Sequence, residues 1–62
     1  MYDMDAREIK AAREAQGDSI TLAAGKVGVR ERTWERWESG ESTPTGESIL
    51  RALRAYVEGE RK

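Results

Sequence analysis

Apolar residues recur along the chain at intervals of three and four, which is the spacing of α-helices that bury one face. The clearest such segment follows Gly46 and ends at Gly59. Its apolar positions are Ile49, Leu50, Leu53, Tyr56 and Val57. No stretch alternates apolar and polar residues as a half-buried strand does, and the sequence contains no internal repeat. The pattern therefore predicts an all-α fold.

Capping residues divide the rest of the chain into short helices. Asp5, with Glu8 three residues later, forms a capping-box pattern at the start of a first helix that ends near Gly17. The buried stripe of this helix is expected to comprise Met4, Ile9 and Ala12. A second helix of about eight residues is expected to begin after the cap residues Asp18 and Ser19.

Glycines mark the ends of the next two predicted helices. Gly28 stops the second helix, because glycine adopts a positive φ without a steric penalty. A third helix runs from about Glu31 to Ser39, and Gly40 is its C-terminal cap. With the helix after Gly46, the sequence predicts a small bundle of four, or at most five, helices in a single domain over residues 1–62.

Length and composition exclude several classes of function. A chain of 62 residues forms one thin core and leaves little room for an elaborate active site. The absence of cysteine and histidine excludes disulfides, thiolate zinc sites, cysteine nucleophiles and imidazole bases. No glycine-rich phosphate loop is present. We therefore expect no catalytic activity, no metal, no cofactor and no small-molecule ligand.

The distribution of charge is more informative than the net charge of −1, which lacks the basic excess typical of DNA-binding domains. Arg30, Arg32 and Arg36 lie close together, whereas many acidic residues lie toward the chain ends, so a local positive face is expected. The longest uncharged run, residues 19–25, is too short to cross a bilayer, and residues 1–5 lack the pattern of a secretion signal. We expect a cytoplasmic protein without a membrane partner.

Residues 19–40, SITLAAGKVGVRERTWERWESG, resemble the helix-turn-helix of the phage Cro and repressor superfamily, also called XRE-like. The small Ala24 occupies the position where two helices touch, Gly28 follows at the turn, and Trp34 and Trp37 occupy apolar positions of the pattern. Independently, two short helices cross closely only where a side chain is as small as that of Ala24. The resemblance implies a lambda-repressor-like bundle with a helix-turn-helix at about residues 19–39 and double-stranded DNA as partner.

Helical geometry selects candidate residues for DNA contact in the third helix. Trp34 and Trp37 share one face, because each residue advances by about 100° around the helix. The residues opposite that face are Arg32, Glu35, Arg36 and Ser39. Arginine can fork onto guanine in the major groove, and a carboxylate can accept from cytosine. We expect Arg32 and Arg36 to read bases and rank the glutamates lower.

The resemblance adds further residue roles. Base contacts in the family fall on Glu31, Arg32 and Arg36, and an ion pair is expected between Arg13 and Glu38, which would fix the first helix against the third. The family often has a phosphate-binding glutamine where this chain has Ile20. The expected contacts to the DNA backbone are Ser19 or Thr21 in its place, Arg30, Thr33 and Thr43.

One further departure from the family pattern and one glycine inside a helix each carry a cost in stability. Arg30 replaces the usual serine or threonine cap of the third helix, which removes about 1 kcal/mol of stabilisation but adds a cation near the DNA backbone. Gly25, inside the second helix, costs roughly another 1 kcal/mol relative to alanine, and nothing in the sequence explains it.

Two functions are consistent with these features. The first is a Cro-like repressor that binds a palindromic operator as a homodimer, formed mainly on DNA. The second is a protein-interaction module or antitoxin-like adaptor on the same fold. The net acidity and surplus apolar residues such as Leu22 favour the second function.

Overall fold

The computed structural model describes residues 5–59, and α-helices are the only regular elements in that range. Their bounds are α1 (Ala6–Ala15), α2 (Ile20–Val27), α3 (Glu31–Ser39) and α4 (Glu47–Gly59). The predicted all-α fold is therefore confirmed in its four-helix form. None of these helices is long and apolar enough to span a membrane. Met4, expected in the buried stripe of α1, lies outside the described residues.

Local side-chain and glycine signals set the helix starts and ends. The Asp5 carboxylate accepts from the Glu8 backbone N–H at 3.0 Å, and the Glu8 carboxylate accepts from the Asp5 N–H at 3.4 Å, so the predicted capping box is present. Ser19 caps α2 by accepting from the Leu22 N–H at 3.2 Å. Gly28 ends α2 with a φ of 95°, a conformation that residues with a Cβ rarely adopt.

One core joins all four helices, with α3 and α4 each packed against both α1 and α2. Its buried residues are Ile9, Ala12, Ala23, Ala24, Val27, Trp34, Trp37, Leu53, Tyr56 and Val57. Trp34 is completely buried, and its ring lies 5.5 Å from the Trp37 ring and 5.5 Å, edge-on, from the Tyr56 ring. Both tryptophans thus face inward, which fixes the rotation of α3 about its own axis.

The turn between α2 and α3 closes on Ala24. This residue is buried between the helices, and its carbonyl oxygen accepts from the N–H of Gly28 at 2.8 Å and of Val29 at 2.9 Å. The small side chain lets the two helices cross closely, and the paired hydrogen bonds hold the turn against the end of α2. The position of α3 on the surface is therefore set by Ala24 and Gly28.

A partly buried ion pair ties α1 to α3. Arg13 donates from Nε to Glu38 Oε2 at 2.6 Å and from Nη2 to Glu38 Oε1 at 3.1 Å. The Trp34 indole N–H also donates to Glu38 Oε2, at 2.6 Å. Burial alone would raise the pKa of the Glu38 carboxyl, but the hydrogen bonds from Arg13 and Trp34 outweigh it and hold that pKa below its ordinary value.

A second polar cluster ties α4 to the turn before α2. The Asp18 carboxylate accepts from the Tyr56 hydroxyl at 2.8 Å and from the Lys26 ammonium at 2.9 Å. The hydrogen bonds from Lys26 and Tyr56 lower the pKa of Asp18, whereas burial and the bond to Asp18 raise the pKa of the Tyr56 phenol. Gln16 donates to the Tyr56 carbonyl oxygen at 2.8 Å. These contacts anchor both ends of the α1–α2 connection.

Candidate nucleic-acid interface

The side of α3 that faces away from the core carries the predicted base-reading residues. We call it the outer face, and its members are Arg32, Glu35, Arg36 and Ser39, all of them exposed. Together with Glu41 they line one open groove on the surface. The structure therefore brings Arg32 and Arg36 together, as the helical spacing predicts, with Glu35 on the same face.

Glu41 belongs to this groove although it lies beyond the end of α3. Gly40 ends the helix with a φ of 84°, and the Ser42 N–H then donates back to the Arg36 carbonyl oxygen at 3.2 Å. The turn places the Glu41 carboxylate 3.8 Å from Arg36 Nε. Sequence reasoning missed Glu41. The sequence signal that could have found Glu41 is Gly40, because a glycine cap with a positive φ turns the following residues back toward the last turn of the helix.

Two residues predicted to contact DNA, Thr21 and Glu31, instead form a hydrogen bond with each other. The Thr21 hydroxyl donates to the Glu31 carboxylate, which joins the first turn of α2 to the first turn of α3. Thr21 was expected to bind a phosphate and Glu31 to contact a base. The two groups are hydrogen-bonded to each other, and both side chains remain exposed.

The other predicted backbone-contact residues occupy different environments. Arg30 is exposed at the N-terminus of α3 and makes no capping hydrogen bond. Ser19 is exposed and caps α2, whereas Thr33 is partly buried. Thr43 is exposed but lines a separate groove beside Trp37, away from the outer face. Arg30 and Ser19 therefore lie at helix N-termini, where a phosphate is favoured.

Charges around α3 are balanced rather than positive. The exposed charged side chains of α3 and its two ends are Arg30, Glu31, Arg32, Glu35, Arg36 and Glu41, three of each sign. The three clustered arginines, from which a local positive face was expected, are therefore accompanied by an equal number of glutamates. The net charge of this region therefore does not by itself favour a polyanion.

Two short helices joined at a glycine turn, with one face of the second helix exposed, form a helix-turn-helix. A family model described as a helix-turn-helix domain matches residues 6–60. The chain belongs to that family, which confirms the resemblance seen in the sequence.

One curated relative gives more detail. A Pyrococcus horikoshii protein named "Putative HTH-type transcriptional regulatory protein" is 38% identical over 55 residues. That alignment covers 89% of this chain but only 18% of the relative, so the similarity concerns one domain of a longer protein. The comparison with solved structures finds no match.

Proposed function

We propose that the protein is a transcription regulator that binds double-stranded DNA by placing the outer face of α3 in the major groove. The observation that carries this proposal is the orientation of α3. Trp34 and Trp37 bury one side of the helix, so Arg32 and Arg36 are presented on the other. Membership of the helix-turn-helix family and the name of the Pyrococcus relative support the same function.

Each residue of the interface has a role in this proposal. Arg32 and Arg36 donate in a fork to guanine O6 and N7, and Glu35 accepts from the amino group of cytosine. Arg30 and the N-terminus of α2 at Ser19 contact phosphates, which position the protein without reading sequence. Glu31 contacts a base only after its hydrogen bond with Thr21 is broken.

We further propose Cro-like repression by a homodimer on a palindromic operator. One recognition helix contacts too few base pairs for useful specificity, and two-fold symmetry places half-sites about one helical turn apart. Leu22 is 55% exposed and Leu50 is 37% exposed, and these large apolar side chains are available to a partner. A small contact area implies a dimer that assembles mainly on DNA and blocks transcription by occupying the site.

A salt-dependent DNA titration tests the proposal. Fluorescence anisotropy with a pool of duplexes of randomised sequence should show binding whose log affinity falls linearly with log salt, as phosphate contacts require. Sequencing the duplexes retained at moderate salt should reveal a palindromic motif. Absence of duplex binding at low salt would contradict the proposal and favour the protein-interaction module, which Leu22 and the balanced charge of α3 would then explain.

A further inference from the structure

We infer that Glu41 is a specificity-determining residue, which directs Arg36 toward a base edge and makes it a poor ligand for phosphate. This inference rests on the proposed DNA-binding function. It concerns a residue outside the helix-turn-helix segment, held by the turn that follows α3.

The backbone of Glu41 is fixed against the last turn of α3. Its N–H donates to the Ser39 hydroxyl at 3.3 Å, and the next residue, Ser42, donates to the Arg36 carbonyl oxygen at 3.2 Å. The Ser39 hydroxyl in turn donates to the same Arg36 carbonyl oxygen at 3.1 Å. Glu41 is thus held beside Arg36 by main-chain contacts on both of its sides.

The side chains of this pair are exposed, with 49% of Arg36 and 68% of Glu41 accessible to solvent. Among the three arginines of α3 and its N-terminal end, Arg36 alone has an ion-pair partner within the described residues. Arg30 and Arg32 therefore remain available for DNA, and Glu41 acts on one arginine only.

The guanidinium group of Arg36 can donate a pair of hydrogen bonds either from Nε and one terminal nitrogen or from its two terminal nitrogens. The Glu41 carboxylate approaches Nε, which leaves the two terminal nitrogens to donate in parallel. Those nitrogens match guanine O6 and N7, which are uncharged acceptors. A phosphate at the same nitrogens would lie near the Glu41 carboxylate, and like charges repel. Glu41 therefore penalises the phosphate contact more than the base contact.

The test compares Glu41→Gln, which removes the charge and keeps the size, with Glu58→Gln, which removes the same charge from the exposed end of α4. Duplexes are selected from a randomised library with the wild-type protein. The dissociation constants of all variants are then measured by anisotropy on the selected duplex and on one unselected duplex, at low and high salt.

We expect Glu41→Gln to bind the unselected duplex about threefold more tightly at low salt, and to lower the ratio of selected to unselected affinity by a similar factor. Reselection with this variant should show weaker preference at one base pair of each half-site. Glu58→Gln should leave the ratio unchanged. In an Arg36→Ala background, Glu41→Gln should no longer change the ratio, because its effect passes through Arg36.

Three results would overturn the inference. The first is an unchanged ratio for Glu41→Gln, which would make Glu41 an ordinary surface charge. The second is an equal fall in the ratio for Glu58→Gln. The third is a fall in the ratio for Glu41→Gln that persists in the Arg36→Ala background. A wild-type protein that binds no duplex and selects no motif would overturn the proposed function itself, and that result is distinct from the other three.

Discussion

The inner and outer faces of α3 differ in how their side chains are held. The inner face carries Trp34 and Trp37, which are buried, and Glu38, which joins Arg13 and the Trp34 indole. On the outer face the charged side chains are exposed, and the one ion pair that Arg36 makes within residues 5–59 is the solvent-accessible contact with Glu41. Stability and the proposed recognition of DNA therefore depend on different residues of the same nine-residue helix, and single substitutions can separate them.

Loss of the Trp34 ring should have the largest effect on stability. Trp34→Ala removes the most central side chain of the core and should lower the free energy of unfolding by about 3–5 kcal/mol, enough to unfold a small domain. Urea denaturation followed by circular dichroism measures it. Arg32→Ala on the outer face is the control and should stay within about 0.5 kcal/mol of wild type. Equal losses of unfolding free energy for the two substitutions would show that the inner and outer faces of α3 do not differ in their contribution to stability.

The ion pair between α1 and α3 should give the next largest effect. Arg13→Ala should cost about 2 kcal/mol, because it leaves a largely buried Glu38 carboxylate without its cation. Glu38→Ala should cost at least as much, since it strands both Arg13 and the Trp34 N–H. Thermal or urea unfolding of both single variants and the double variant gives the coupling energy. A coupling energy near zero would show that the two side chains do not meet in solution.

Acid should destabilise the protein over a defined range. The pKa values of Glu38 and Asp18 lie below their ordinary values of 4.5 and 3.8 in the folded protein, so both carboxylates stabilise the fold above those values. That stabilisation is lost as pH falls through the lowered pKa values. Without histidine, the melting temperature should stay nearly constant between about pH 6 and 8 and fall below about pH 4.5. Glu38→Gln should show a shallower fall, and an unaltered acid profile for this variant would contradict the assignment.

The smallest change in stability is expected at Gly25 in α2, a residue that nothing in the sequence explains. A Cβ built on Gly25 meets no atom within 4 Å, and nothing in the structure explains why glycine stands there. Gly25→Ala should therefore stabilise the protein by about 0.5–1 kcal/mol through helix propensity, measured by urea denaturation. DNA affinity should be unchanged if the outer face of α3 alone carries base contact. A stabilised variant with weaker DNA binding would extend the interface along α2, beyond its N-terminus.

The helix bounds and the orientation of α3 could be predicted because they depend on local signals. Asp5, Ser19, Gly28 and Gly40 act on neighbouring residues through capping bonds or positive φ, and each marks a helix end in the structure. The 100° advance per residue likewise separates the tryptophans from the arginines without any tertiary information. For this reason the outer face follows directly from the sequence.

Contacts between residues distant in the chain could not be derived in the same way. Asp18 and Tyr56 are separated by 38 positions, and their hydrogen bond depends on how α4 crosses the bundle. Thr21 and Glu31 meet because the first turns of α2 and α3 adjoin, a geometry set by the turn. Such pairs depend on how the helices pack and not on signals between neighbouring residues.

We propose that Arg36 reads a base whereas Arg30 binds the DNA backbone, and one competition experiment distinguishes these two roles. On the selected duplex, Arg36→Ala should lose about 1–3 kcal/mol of binding free energy and become permissive at one base pair, with affinity for unselected DNA nearly constant. Arg30→Ala should weaken all duplexes alike and make the salt slope shallower by about one unit. Both variants should melt like wild type. A uniform loss of affinity for Arg36→Ala, with no base pair becoming permissive, would contradict base reading by the outer face.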